Sequence, residues 1–363
     1  MNVRAHLESL PPYSPVEPFD VLATRLGREP SQIIKLDANE NPYGPLPAVR
    51  EALGRLESPH IYPDPESRAL RKALARFTGL PEDHLLAGAG ADELIDLLMR
   101  VLLEPGDCIL SCPPTFGMYS FDAGLNSARC IEVPRRSDFS LDLTSIRSAV
   151  QTENPRLLVV ASPNNPDGSV LDDDTVDELL SLPTLIVLDE AYIEFAAENL
   201  GASVSRIGEV ASRENLVVLR TFSKWAGLAG LRVGYGAFPL WLISGLWKAK
   251  QPYNVNVAAS LAAQISLERA SELAVAVRRL RRERARLFAA MQAIPYLKPY
   301  PTQSNFILCR VVGRDAAELK SRLAQEHGVF VRFFDRPGLR DHIRISVGRP
   351  EDTDVLVEAL EAC

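Results

Sequence analysis

Two periods of apolar residues alternate along the chain. Leu94, Leu97, Leu98 and Val101 fall on one face of a helix opening at Ala91-Asp92-Glu93. Residues 67–78 and 175–182 also read as helices, whereas 108–110, 157–161, 185–188 and 216–219 are unbroken apolar runs of strand length. Strands apolar on both faces, alternating with helices, predict a mostly parallel sheet between helical layers. The character changes near residue 265. Leu273, Val277, Leu280, Leu287 and Met291 keep helical spacing, and Arg278, Arg279, Arg281, Arg282, Arg284 and Arg286 crowd the remainder, as on the solvated face of a long linking helix. Strands at 304–311, 329–334 and 342–347, with helices at 315–327 and 351–362, then predict a compact α+β unit. Pro11, Pro12, Pro15, Pro18 and Pro30 make the first thirty residues an irregular arm lying on another surface, with a short helix at 19–26.

A chain of 363 residues suggests two domains. Its formal charge of −7 counts against nucleic-acid binding, which needs a basic surplus to displace phosphate counterions. The five cysteines form no C-x-x-C pair and no zinc-type spacing with histidine, so neither a disulfide framework nor a metal site is expected. The N-terminus lacks the apolar centre of a signal peptide, and no apolar run approaches the roughly 20 residues of a membrane helix. No membrane partner is expected, and the expected location is the cytoplasm.

Four loops carry candidate chemistry. Thr221-Phe222-Ser223-Lys224, running on to Gly227, Gly230 and Arg232, follows an apolar strand. Its glycines admit a ligand close to the backbone, its hydroxyls and arginine suit a phosphate, and its lysine is a phosphate binder or an amine nucleophile. Asp189, directly after the run 185–188, would stand beyond a strand's carboxyl end, where open α/β sheets bind ligands; Tyr192 adds a phenol. Gly88-Ala89-Gly90-Ala91-Asp92 opens a helix whose free N–H groups make a phosphate seat. Ser162-Pro163-Asn164-Asn165-Pro166-Asp167-Gly168 is a turn by composition and could aim an Asn amide. Each loop has a bland reading: a surface lysine, a helix cap, an ordinary turn. Together they offer an amine, a phosphate seat, a carboxylate for a protonated ring nitrogen and a phenol. That set fits pyridoxal 5'-phosphate held as a lysine Schiff base.

Over nearly its whole length the sequence resembles the fold-type I aminotransferases of class II, and among them the histidinol-phosphate aminotransferase family. The likeness runs from Leu36-Asp37-Ala38-Asn39-Glu40-Asn41-Pro42-Tyr43-Gly44 through Tyr62-Pro63-Asp64, Gly90-Ala91-Asp92-Glu93 and Pro114-Thr115-Phe116-Gly117-Met118-Tyr119. It continues through Asp189-Glu190-Ala191-Tyr192, Ser223-Lys224, Gly230-Leu231-Arg232 and Pro252-Tyr253-Asn254 to Ser304-Asn305-Phe306 and Ile343-Arg344-Ile345-Ser346.

The resemblance implies an α/β fold: a large cofactor-binding domain over 51–264, and a small α+β domain from 31–50 and 265–363, behind an arm at 1–30. It implies that Lys224 anchors the cofactor and then moves the proton. Asp189 would face the ring nitrogen, Asn165 and Tyr192 the ring oxygen, and Phe116 the ring face. Ala91, Asp92, Thr221, Ser223 and Arg232 would hold the phosphate, joined by Tyr62 from the other subunit of a homodimer. Arg344, with Arg332 as second candidate, would take the substrate's anion, and Asn41 and Tyr43 would line its side. The implied reaction is ping-pong amino transfer between L-histidinol phosphate and 2-oxoglutarate, giving imidazole acetol phosphate and glutamate in histidine biosynthesis. Aromatic amino-acid transamination, threonine-phosphate decarboxylation and a cofactor-sensing regulator are the rival readings. Phe116, Asp167 and Trp225 depart from the usual family residues and bear on substrate preference. Asp167 is expected to add a negative charge beside the site.

Overall fold

The computed structural model describes residues 3–8, 10 and 17–363; Pro11, Pro12 and Pro15 of the expected arm lie outside them. Among the described residues the strands are β1 (Ile34–Leu36), β2 (Leu85–Gly88), β3 (Cys108–Ser111), β4 (Arg129–Glu132), β5 (Leu157–Ala161) and β6 (Leu185–Asp189). Then come β7 (Leu216–Thr221), β8 (Gly234–Ala237), β9 (Leu297–Pro299), β10 (Phe306–Val311), β11 (Val329–Phe333) and β12 (His342–Ser346). Seven of them form one sheet in the order β2-β8-β7-β6-β5-β3-β4, and the other five form a second in the order β1-β11-β12-β10-β9.

The apolar runs read from the sequence are the central strands of the larger sheet. β5, β6 and β7 are buried along their whole lengths and pair in parallel. Two apolar layers close over the sheet. One contains Leu70, Leu74, Val218 and Leu273, and the other contains Leu94, Leu98, Leu219 and Leu246. Leu94 and Leu98 come from the helix Ala91–Leu102, whose apolar face the spacing had marked. β8 is the exception to the parallel rule: it runs antiparallel to both β7 and β2.

Two helices stand here, Val257–Glu268 and Ala270–Ala293, parted at Arg269, and the expected linking helix is the second. The second buries Leu273, Val277, Leu280, Leu287 and Met291, as expected. The smaller sheet draws β1 from near the beginning of the chain. It pairs in parallel with β11, Ile34 opposite Val329, and forms that sheet's edge. The arm returns to its own chain: His6 Nε2 lies 3.2 Å from the Leu125 carbonyl oxygen, and Leu22 packs with Phe330. No helix among the described residues is long and apolar enough to cross a membrane.

A buried ionic cluster sits between β6 and β7. Arg220 donates to Glu190 at 2.9 Å and to Ser205 at 2.5 Å, and the Glu194 carboxylate lies 3.9 Å from its guanidinium. Neither Glu194 oxygen has a hydrogen-bond partner among the described residues. Burial pushes the Glu194 carboxyl up to about 8, with Arg220 opposing. A carboxyl whose pKa rises on folding contributes its stability in the protonated form. That contribution is complete below its ordinary value of 4.5 and is lost as pH rises through about 8. Between pH 5 and 9 the wild type is therefore expected to lose roughly 2–4 kcal/mol more than Glu194→Gln does. Urea unfolding of both proteins at the two pH values measures it, and parallel pH profiles would refute it.

Candidate active site

Strand direction decides where the chemistry collects. β5, β6 and β7 are parallel, and two successive antiparallel pairings bring β2 back to the same sense. The loops after Gly88, Ala161, Asp189 and Thr221 consequently leave one edge of the larger sheet.

At the β7 end, the Thr221 hydroxyl donates to Ser223 Oγ at 2.9 Å and accepts from the Ser223 backbone N–H at 3.1 Å. Lys224 follows, and its Nζ donates to the Ala38 carbonyl at 3.3 Å. Across from it, Ala91 and Asp92 are the first residues of their helix, and Arg232 pairs with the Asp92 carboxylate at 2.8 Å. Gly90 has φ +88°, and a Cβ there would stand 2.6 Å from Arg232 Nη2. The helix N-terminus and a guanidinium thus meet at Gly90, and Gly234, opposite Thr221 in the register, lies close against Ala91 N–H and brings the β7 end alongside.

Asp189 lies buried at the end of β6. Its Oδ1 accepts from the Ala191 backbone N–H at 3.0 Å, and its Oδ2 from the Tyr119 hydroxyl at 2.6 Å. Burial pushes its carboxyl up to about 6 against those two hydrogen bonds. Tyr119 sits in the helix Met118–Leu125, and nothing in its spacing tells that its hydroxyl meets the last residue of a strand. Phe116 touches the same tyrosine edge-on, with ring centroids 5.7 Å apart. Tyr192 is buried, and its hydroxyl accepts from Asn39 Nδ2 at 3.0 Å. Asn39 is a second residue without an assigned role. It is buried at φ +57°, and Ser346 holds its backbone N–H at 2.8 Å and its Oδ1 at 3.0 Å. An Asn able to occupy left-handed backbone between a strand and a helix was the available signal.

The smaller sheet contributes from above. Arg344 on β12 donates to Asn165 Oδ1 at 2.7 Å and to the Asp37 carbonyl at 2.7 Å. The Phe306 and Phe334 rings lie 5.2 and 5.6 Å from its guanidinium. Arg332 on β11 stands directly opposite Arg344 in the register. The segment from β1 to the helix Pro47–Gly54 straps the two sheets together. Asn41 uses both ends of its amide in this strap, donating to the Trp225 carbonyl and accepting from Tyr43 N–H, each at 3.0 Å. Tyr43 is half-buried beneath the Arg349 guanidinium. Tyr62 stands apart from the cluster. It is 79% exposed, and its ring stacks on Tyr253 at 4.6 Å.

Two of the unusual residues are buried. Trp225 is fully buried, its indole between Phe77 and Phe222. Asp167 is held inside its own turn: its carboxylate accepts from Asn164 Nδ2 and, at 2.9 Å, from Ser169 N–H, with buried Arg135 as the facing cation.

The aminotransferase class I and II family matches residues 31–360. The histidinol-phosphate aminotransferase of Nicotiana plumbaginifolia, a chloroplastic protein, is 55% identical over 99% of this chain and 86% of its own. That of Roseiflexus castenholzii is 51% identical over 99% of this chain and 97% of its own. Among solved structures, the Sinorhizobium meliloti histidinol-phosphate aminotransferase in complex with pyridoxal-5'-phosphate superposes with a TM-score of 0.89. It is 28% identical and covers 99% of this chain and 98% of that one.

Proposed function

The chain belongs to the class I and II aminotransferase family, and on that premise we propose that it moves an amino group between L-histidinol phosphate and 2-oxoglutarate in histidine biosynthesis. The observation that carries this reading is the full-length likeness to proteins of that name at 51–55% identity. The donor set agrees with it. An amine, a buried carboxylate and a phosphate seat collect at one sheet edge, beneath an arginine from the second sheet.

The residues present fit pyridoxal 5'-phosphate. When bound, it supplies an electron sink for charge that develops at the substrate's Cα. Lys224 offers the amine that anchors it and a base to carry the proton. Asp189 holds a proton at the ring nitrogen. Asn165 and Tyr192 offer an amide and a phenol to the ring oxygen, and Phe116 offers a flat apolar face. Ala91, Asp92, Thr221, Ser223 and Arg232 form the phosphate seat. Arg344 orients the substrate through its anionic group, with Arg332 beside it and with Asn41 and Tyr43 shaping the strap. Tyr62 and Tyr253, both exposed, meet a second copy, Tyr62 serving the neighbouring site of a homodimer. The units we assign are an arm at 1–30, a large unit at 51–264 and a small unit from 31–50 and 265–363. The enzyme works in the cytoplasm, although the Nicotiana relative is a chloroplastic protein.

Gly90 gives this phosphate seat its own test. In Gly90→Ala, a strained φ of +88° and a methyl 2.6 Å from Arg232 must displace the guanidinium. Affinity for pyridoxal phosphate is expected to fall about 10- to 100-fold, the worth of a hydrogen bond to a charged group. Fluorescence titration of the apoprotein measures it. Unchanged affinity would remove Arg232 from the seat.

The reaction is tested by adding histidinol phosphate alone to the purified yellow protein, then 2-oxoglutarate, while following the visible band. Loss of the band and its return with glutamate formed is the expected result. Bleaching by phenylalanine but not by histidinol phosphate would make the enzyme an aromatic aminotransferase. Carbon dioxide from threonine phosphate would make it a decarboxylase.

A further inference from the structure

Tyr119 joins the aromatic side of the site to its buried carboxylate. Tyr119 is fully buried, and its hydroxyl donates to Asp189 Oδ2 at 2.6 Å. The second carboxylate oxygen is already taken by the Ala191 N–H. Asp92 and Glu190 add negative charge around Asp189, and neither donates to it. Among the described residues, Tyr119 is therefore the side-chain donor that favours the charged carboxylate against its burial.

We propose that Tyr119 is a positioning residue that keeps Asp189 ionised and aimed, so that the proton they share with the cofactor stays on its ring nitrogen. The proposal rests on the reading of Asp189 given above. A buried carboxylate stripped of its phenolic donor is more basic. It then competes for the ring proton, and the neutral acid facing a neutral ring replaces the ion pair. No bond to substrate is involved, so the effect falls on the chemical step. The edge contact with Phe116 fixes the tyrosine ring and keeps the hydroxyl on line.

The test uses holoenzyme loaded with cofactor labelled with ¹⁵N in the ring. In the wild type the ring nitrogen is expected at the protonated resonance. In Tyr119→Phe it moves toward the unprotonated one. There kcat falls about 10- to 100-fold, the size of one hydrogen bond to a charged group, while KM for the amino substrate changes less than about threefold. An unmoved resonance in Tyr119→Phe overturns the proposal, whatever the activity. An unprotonated nitrogen in the wild type would instead overturn the reading of Asp189 itself. If Tyr119→Phe does not fold, 4-aminophenylalanine at position 119 keeps the ring and offers a weaker N–H donor to Asp189 in place of the phenol. The resonance must then move part of the way toward the unprotonated one, and its failure to move refutes the proposal.

Discussion

With Lys224 replaced by Ala, amino transfer is expected to fall by on the order of 10⁵-fold or more, and borohydride should leave no cofactor attached to the protein. The magnitude follows from two losses at once. A tethered base replaces a bimolecular encounter, worth roughly 10⁵–10⁸ M in effective concentration, and general base catalysis contributes about 10²–10⁴-fold. The fold should survive, because Lys224 Nζ makes one long hydrogen bond, 3.3 Å to Ala38 O, whereas its neighbours Ser223 and Trp225 are anchored by buried contacts of their own. Mass spectrometry after reduction provides a readout independent of turnover. A reducible adduct that persists at another lysine would overturn the assignment.

The second large effect belongs to Arg344. Histidinol phosphate presents a phosphate and no carboxylate; glutamate presents carboxylates only. A planar guanidinium pairs with either anion, and the two aromatic rings beside Arg344 keep it in place. Arg344→Ala is expected to lower kcat/KM for both substrates by about 10²–10³-fold, the usual cost of deleting one partner of a desolvated charge pair. Arg344→Lys should recover only part of this, since a point charge lacks the fork. Steady-state kinetics with each substrate in turn decides it. A variant that loses one half-reaction and keeps the other would show that the anions bind apart. Arg332, opposite Arg344 in the register, would then take the spared one.

How much of this was legible depended on what each residue does locally. β5, β6 and β7 announced themselves because a strand buried on both faces has no polar position to interrupt it. β8 was silent for an equally physical reason. Its sequence is Gly234-Tyr235-Gly236-Ala237, and a Cβ on Gly234 would stand 2.6 Å from Ala91 N, one on Gly236 2.5 Å from Phe238. The strand must be small where its neighbours crowd it, so it carries no apolar run. The helix Val257–Glu268 went unread because most of the residues it buries, Ala259, Ala262, Ala263 and Ser266, are small and make no strong apolar stripe. Lys224 and Asp189 could be named because each stands in a motif with its own chemistry, whereas Asn165 and Arg344 were singled out by the family resemblance. Tyr119 and Asn39 could not, because their partners, Asp189 and Tyr192, are set by tertiary packing. Asp167 was read from its place in the family pattern, which says nothing of the hydrogen bonds that hold its carboxylate within the turn.

The pairing of β1 with β11 also orders the molecule in time. The larger sheet can form from strands that leave the ribosome one after another, but Ile34 finds its partner only when Val329 has been made. At about 5–20 residues per second, the first strand waits on the order of tens of seconds. The strap residues wait with it, so the Asp37–Arg344 and Asn39–Ser346 bonds close last. A nascent or truncated chain can therefore carry Lys224 on a folded strand edge without the second sheet above it. Reactive amine and substrate-orienting arginine come together only in the finished protein.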